Sequence, residues 1–246
     1  MDSQRYLDCL ASDYARLRTI AASAPDAEVP TCLPWTMSDL VRHVAQVYLH
    51  KAATMEHDAR QPQPDVSAED PLAALDRGYA RLLAQFSHRQ PSDVTVTWFP
   101  PDQTVAFWIR RMAQETVIHR IDAELAAGVE SAPIPEDLAV DGVDEVLERF
   151  LAFASHHFRE DFAGTLDDLT GQRVQVETAG SAWLVNLDSK VITLTAPDGS
   201  PDATVRADPE TLLRWLWRRT DEDAVTVEGD QSAVDALYTV LKGATQ

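Results

Sequence analysis

The chain has 246 residues, 45% of them apolar and 25% charged, which suits a globular protein of one large domain or two modest ones. Its 21 basic residues against 40 acidic give a formal charge of −19, a surface that repels nucleic-acid phosphates and anionic membranes. No apolar run reaches the roughly 18–20 residues of a spanning helix, and the first residues read as no signal peptide. The two cysteines, Cys9 and Cys32, lack a C-x-x-C partner, so the expectation is a cytoplasmic protein with reduced thiols.

Taken in order, Leu7, Leu10, Tyr14 and Leu17 repeat at three-four spacing and predict a first helix from about Ser3 to Ala22. Residues Ser23 to Pro34 carry three prolines and read as a loop. A second helix opens at Thr36, with Asp39 three residues on as a capping-box partner, and Met37, Leu40, Val44 and Val47 mark its core face. His43 sits beside that line and points into or along the core. Alone, such a histidine is a hydrogen-bonded core residue as readily as a ligand, and His50 and His57 receive no role. Arg60 to Asp70 is a polar loop, and Asp70-Pro71 opens a third helix marked by Leu72, Leu75, Tyr79, Leu82 and Phe86. The run VTVTWF, residues 94–99, is strand-like until Pro100-Pro101 stops it.

Phe107 to Gly128 is free of internal proline and glycine and predicts a fourth helix. The line Trp108, Met112, Glu115, His119, Asp122, Ala126 keeps to one face, apolar at both ends and charged in the middle. Buried carboxylates need partners, and a divalent metal would supply one. The competing reading is a solvated polar face, with Ile118, Ile121 and Leu125 as the buried stripe. Val140, Val143, Leu147, Phe150 and Leu151 support a fifth helix ending near the His156-His157 pair, which reads as surface. From Gln172 the period changes to two: RVQVETA, WLVNLD, KVITLTA and DATVRA read as strands. Asp208-Pro209 opens the helix PETLLRWLWRR, followed by a strand, VTVEGD, and a last helix, QSAVDALYTVLKG. The boundary is drawn between Glu160 and Gln172, giving a helical domain over 1–160 and a small α+β domain over 172–246.

If the second and fourth helices meet in an antiparallel bundle, His43, Glu115 and His119 form a His₂Glu set, the donor set of catalytic zinc with a fourth position open. Zinc is the expected ion, and nickel or iron also suit N/O donors.

The residues carrying this set resemble a known family. LPWTMSDLVRHVAQV is similar to the W-T-x-x-D-L-x-x-H helix of the mycothiol-dependent maleylpyruvate isomerase family, part of the DinB-like metal-bundle superfamily. PPDQTVAFWIRRMAQETVIHRIDAELAAG resembles that family's metal helix, reading R-R-x-x-x-E-x-x-x-H-R-x-D-A-E, with Ile121 where many members carry Trp. The tail from ATVRADPETLLRWLWRR onward is similar to its C-terminal domain. The resemblance implies an N-terminal DinB-like antiparallel four-helix bundle followed by the small α+β domain. It implies metal ligands His43, Glu115 and His119, with Asp122 beside the site to orient His119 or handle a proton. It also implies a catalytic arginine in the C-terminal domain, for which Arg219 is the first candidate and Arg218 and Arg206 are rivals. A basic helix terminus explains Arg218 and Arg219 equally well, and a solvent-facing strand position explains Arg206. The implied reaction uses mycothiol, the thiol of actinobacteria, as a metal-bound thiolate attacking a small electrophile such as maleylpyruvate, by isomerase or S-transferase chemistry. The partners are then a small thiol and a small electrophile, in a monomer or homodimer with no nucleic-acid or membrane partner. The alternative is a metal-binding regulatory or ligand-binding module without turnover.

Overall fold

In the computed structural model, α1 (Ser3–Ser23), α2 (Met37–His57), α3 (Pro71–His88) and α4 (Val105–Ala127) form a four-helix bundle. Residues 1–197 and 199–245 are described. Each helix begins where a short polar side chain satisfies an orphan backbone N–H. Asp2 accepts from Arg5 N, Thr36 and Asp39 close a reciprocal capping box, Asp70 accepts from Ala73 N with Pro71 behind it, and Thr104 accepts from Phe107 N. Gly128 stops α4 in the left-handed conformation, φ 63°, returning its N–H to Glu124 and Leu125.

The bundle packs α2 on α3 and α1 on α4, and α2 also meets α4. At Gly78 the α2–α3 approach is so close that a Cβ would lie 3.0 Å from Ala45 O. Tyr14 ties α1 to α3 by stacking on Tyr79, centroids 3.6 Å apart, and donating to Asp76 at 2.6 Å. Helix α4 is buried nearly all round, so the apolar stripe and the polar stripe both face protein. Leu125, expected in the apolar stripe, is exposed. Residues 94–99 form no strand. A single bridge pairs Val94 with Thr104, and Thr97 Oγ1 donates to Asp102 O at 2.7 Å across the Pro100-Pro101 turn. A two-stranded ribbon without a third strand is marginal, and here the Val96 carbonyl instead accepts from Trp108 Nε1 at 3.0 Å.

The chain divides into two compact units, Met1–Ala132 and Pro133–Gln246. The division falls ahead of the fifth helix, where the sequence reading drew it after. That helix begins as α5 (Glu136–Glu145), is π-wound over Val146–Phe153 and ends as α6 (Ala154–His157). Helix α5 packs on α7 (Pro209–Leu216), and the π-wound stretch packs on β3 (Ile192–Thr195).

The remaining elements are β1 (Thr170–Thr178), β2 (Ser181–Asp188), β4 (Ala203–Arg206), β5 (Thr226–Gly229) and α8 (Gln231–Ala244). The five-stranded mixed sheet has the order β3-β2-β1-β4-β5, with only β1 and β4 parallel. Ala179 and Gly180, φ 33° and 80°, make the β1–β2 turn with the positive angles a tight hairpin requires. Val174, Val176 and Val205 face the core with Leu212, Leu216, Leu237 and Leu241, as the period of two predicts. Among the described residues no helix is long and apolar enough to cross a membrane.

Candidate metal centre

Glu115 and His119 are the partly open positions in the middle of an otherwise buried α4, and they face His43 on α2. Glu115 Oε1 lies 3.4 Å from His43 Nε2 and 3.2 Å from His119 Nε2, and the three donor atoms all lie within 4.8 Å of one another. Donors about 2.0–2.2 Å from a tetrahedral ion stand roughly 3.3 Å apart, so the two measured edges fit such an ion. The donor set is chemically apt: two imidazoles and a carboxylate on two rigid helices, able to hold a divalent cation.

The atoms facing away from the trio are held by neighbours that leave the ligand atoms available. His119 Nδ1 donates to Asp122 Oδ2 at 3.0 Å, one helical turn on, which leaves Nε2 as the ring nitrogen that faces Glu115. Glu115 Oε2 accepts from Arg111 Nη2 at 2.6 Å, leaving Oε1 for the trio. Asp122, wholly buried, accepts from Thr31 Oγ1 at 2.5 Å, and Cys32 Sγ stands 3.8 Å from its Oδ2. The Trp35 ring packs against His43, centroids 5.0 Å apart.

Electrostatics follow from this crowding. Burial works against a charged His119, but the adjoining Glu115 carboxylate and the hydrogen bonds to Asp122 and Glu115 outweigh it and hold the imidazole up to about 9. Burial would raise Glu115, yet His119, His43 and Arg111 keep it well below the usual carboxylate range. His119 thus keeps its proton beside the ionised Glu115, and a metal ion has to displace that proton.

A second charged cluster lies on the same helix. Arg120, fully buried, meets Glu124 Oε2 at 2.7 Å and Asp13 Oδ1 of α1 at 3.0 Å, and donates to Ala132 O at 2.6 Å. Glu124 also accepts from Arg16 Nε and Ser131 Oγ, both at 2.9 Å. In the H-R-x-D-A-E run, His119 and Asp122 therefore belong to the site, and Arg120 and Glu124 fasten α4 to α1 and the following loop.

The other sequence candidates fall elsewhere. Arg206 is exposed and pairs with Glu177 at 2.7 Å and Glu228 at 3.2 Å, on the strands flanking β4. Arg218 closes α7: it takes φ 59°, its N–H goes to Trp215 O and that of Arg219 to Arg214 O, at 2.9 and 2.7 Å. Those two bonds make a Schellman cap with arginine in the place glycine usually fills. Its guanidinium donates to Thr245 O at 2.7 Å, tying α7 to the end of α8. Arg219 is buried and donates to Trp217 O at 2.6 Å. His57, His156 and His157 are exposed.

Sequence reasoning missed Thr31, Cys32, Arg111 and Trp35. Arg111 carries a legible signal, its i,i+4 spacing to Glu115. Thr31 and Cys32 carry none, because they reach Asp122 across some ninety residues of chain. The fold sets the Cys32 thiol beside the carboxylate that holds Nδ1 of His119.

Comparison with known proteins agrees with this architecture. Residues 8–124 match the mycothiol maleylpyruvate isomerase N-terminal domain, and residues 137–236 match the C-terminal domain of the same family. No curated protein matches the chain in sequence. Among solved structures, the mycothiol-dependent maleylpyruvate isomerase superposes with TM-score 0.60 at 15% identity, covering 93% of each chain. A histidine-to-alanine mutant of that isomerase gives 0.61 at 14%, again over 93% of each. At that identity the superposition speaks for the fold alone. With both family domains matched in order over nearly the whole length, the chain belongs to the mycothiol maleylpyruvate isomerase family.

Proposed function

We propose that the chain is a metal-dependent enzyme that uses a small-molecule thiol, mycothiol, to act on a small electrophile, as an isomerase or a thiol S-transferase. The observation that carries this reading is the trio itself: three N/O donors converge on one point, and neither cysteine is among them. A zinc ion held there would deprotonate a coordinating thiol, and with no protein thiol in the set that sulfur comes from outside. The chain's own residues then have distinct tasks. His43, Glu115 and His119 would hold the ion, and Arg111 occupies Oε2 of Glu115, leaving Oε1 toward the trio. Asp122 holds the Nδ1 proton of His119 and so keeps the ring in the tautomer that would bind through Nε2. Arg219 is the guanidinium assigned to the anionic reactant in the second unit, by family resemblance. Arg218 is set aside because its side chain holds the α8 terminus.

The test is metal analysis of the purified protein, followed by turnover of maleylpyruvate and a panel of other electrophiles with and without mycothiol. Stoichiometric zinc with thiol-dependent turnover supports the proposal, and Arg219→Ala should then lose turnover while keeping its metal. Metal without thiol binding or thiol-dependent turnover would instead make this a metal-binding module without catalysis.

A further inference from the structure

The face of α2 that carries His43 continues along the helix through Val47 to Lys51. These three are partly open positions at i, i+4 and i+8. His43 meets Glu115 and His119, and Lys51 meets Trp108, so α2 and α4 run antiparallel along this face. Lys51 Cα lies about 12 Å along the axis from His43 Cα, and helical side chains tilt toward the N-terminus, which is the direction of the trio.

The setting of the ammonium group is unusual for a surface lysine. Its Nζ stands over the Trp108 ring, 5.1 Å from the centroid, and donates to His50 Nδ1 at 3.0 Å. His50 Nε2 lies 2.7 Å from the Gln61 carbonyl. A carbonyl only accepts, so Nε2 carries the proton and Nδ1 is the acceptor for Lys51. The ring is therefore neutral and contributes no counter-charge. Among the described residues no carboxylate forms an ion pair with Lys51. Glu115, the acid whose field it feels, is engaged at both oxygens, by Arg111 on one and the histidines on the other. Arg111 and Arg60 add positive charge nearby, and burial pulls the ammonium down to about 8. A lysine serving only as an amphipathic cover would extend its head to water. A cation–π contact and one neutral hydrogen bond leave this charge without an anion in a protein of net charge −19.

We infer that Lys51 is a carboxylate-binding residue that takes the acid group of a small anionic reactant lying along α2 between Trp108 and the His43–Glu115–His119 trio. Lys51 sits on the bundle's own helix, on the face that carries a metal ligand, and it selects electrophiles that are acids over their neutral analogues. The inference deepens the proposed function, but its test reads binding and stands apart from turnover.

The probe is maleate, a small unsaturated dicarboxylate, titrated calorimetrically into the zinc-loaded full chain without thiol. Lys51→Met should weaken maleate by about tenfold or more with metal content unchanged, the loss of one charge-assisted hydrogen bond. Lys51→Arg should stay within a few-fold of wild type, and dimethyl maleate, the same skeleton without charge, should bind far more weakly than the dianion. The assignment is overturned if Lys51→Met binds maleate like the wild type, if the neutral diester binds as tightly as the acid, or if wild type takes up no maleate at millimolar concentration. A wild type that binds maleate through Lys51 yet shows no thiol-dependent turnover would sink the enzymatic proposal and leave this site standing. Turnover with unchanged maleate affinity in Lys51→Met would do the reverse.

Discussion

Helix α4 carries two charged clusters less than two turns apart, and they are closed in opposite ways. Around Arg120 the chain supplies both signs: Asp13 and Glu124 surround a guanidinium that has no access to water. Around Glu115 and His119 the acids and imidazoles converge so that three donor atoms point at one place. Both clusters rest on an i,i+4 pair, Arg120–Glu124 in one and Glu115–His119 in the other, so helical spacing does not separate them. The facing helix does. Helix α1 offers Asp13, an acid that completes an ion pair, whereas α2 offers His43, an imidazole that completes the donor trio.

Breaking the closed cluster should have the largest effect. Arg120→Ala leaves Asp13 buried without its cation and Glu124 with Arg16 alone, a loss on the order of 3–5 kcal/mol in urea unfolding. The folded fraction should still bind metal at wild-type stoichiometry, since no ligand is touched. Breaking the open cluster should do the converse. His43→Ala should lower zinc affinity by at least about 100-fold, roughly 3 kcal/mol, read by competition with a chelator. With its side chain 35% exposed, the metal-free stability should stay within about 1 kcal/mol of wild type. A variant that keeps stoichiometric zinc would remove His43 from the site.

The closed cluster also predicts a pH dependence. Burial pushes Asp13 up to about 6, against the lowering pull of Arg120. An acid whose folded pKa lies above its unfolded value binds its proton more tightly when folded. Its contribution therefore favours folding at low pH and is lost as pH rises from about 4 through 6, a change on the order of 2–3 kcal/mol. Asp13→Asn has no such proton to lose, so the stability of wild type relative to this variant should fall across that window and level off above it. Urea midpoints at several pH values measure the difference, and a parallel pair of curves would contradict it.

The finest distinction concerns Asp122, which belongs to the open cluster without being one of its three donors. Asp122→Asn replaces a carboxylate that accepts from both Thr31 and His119 with an amide that has one acceptor oxygen and no charge, so zinc should bind about 10–100-fold more weakly without being lost. Turnover with mycothiol should fall further than the metal loss accounts for, if the carboxylate also takes a proton. Equal losses in the two measurements would confine Asp122 to positioning.

The sequence by itself determined the helix starts and stops, because a cap is a contact between residues two to four apart. Thr36 with Asp39, Asp70 with Pro71 and Gly128 all act where they were read. It determined the strands after residue 170 through their period of two, and it singled out His43, Glu115 and His119 as polar interruptions of two core stripes. What lay beyond it depended on partners far away in the chain. VTVTWF has the composition of a strand but pairs only through the Val94–Thr104 bridge, and becomes a loop. Arg218 read as a basic terminus or a catalytic cation, and only the return of α8 made it a cap and clamp. Thr31 and Cys32 meet Asp122, and Lys51 meets Trp108, because α2, α4 and the loop before α2 pack together. Local energies fix such elements from contiguous residues, whereas packing chooses which side chains, some ninety positions apart, come to share one carboxylate.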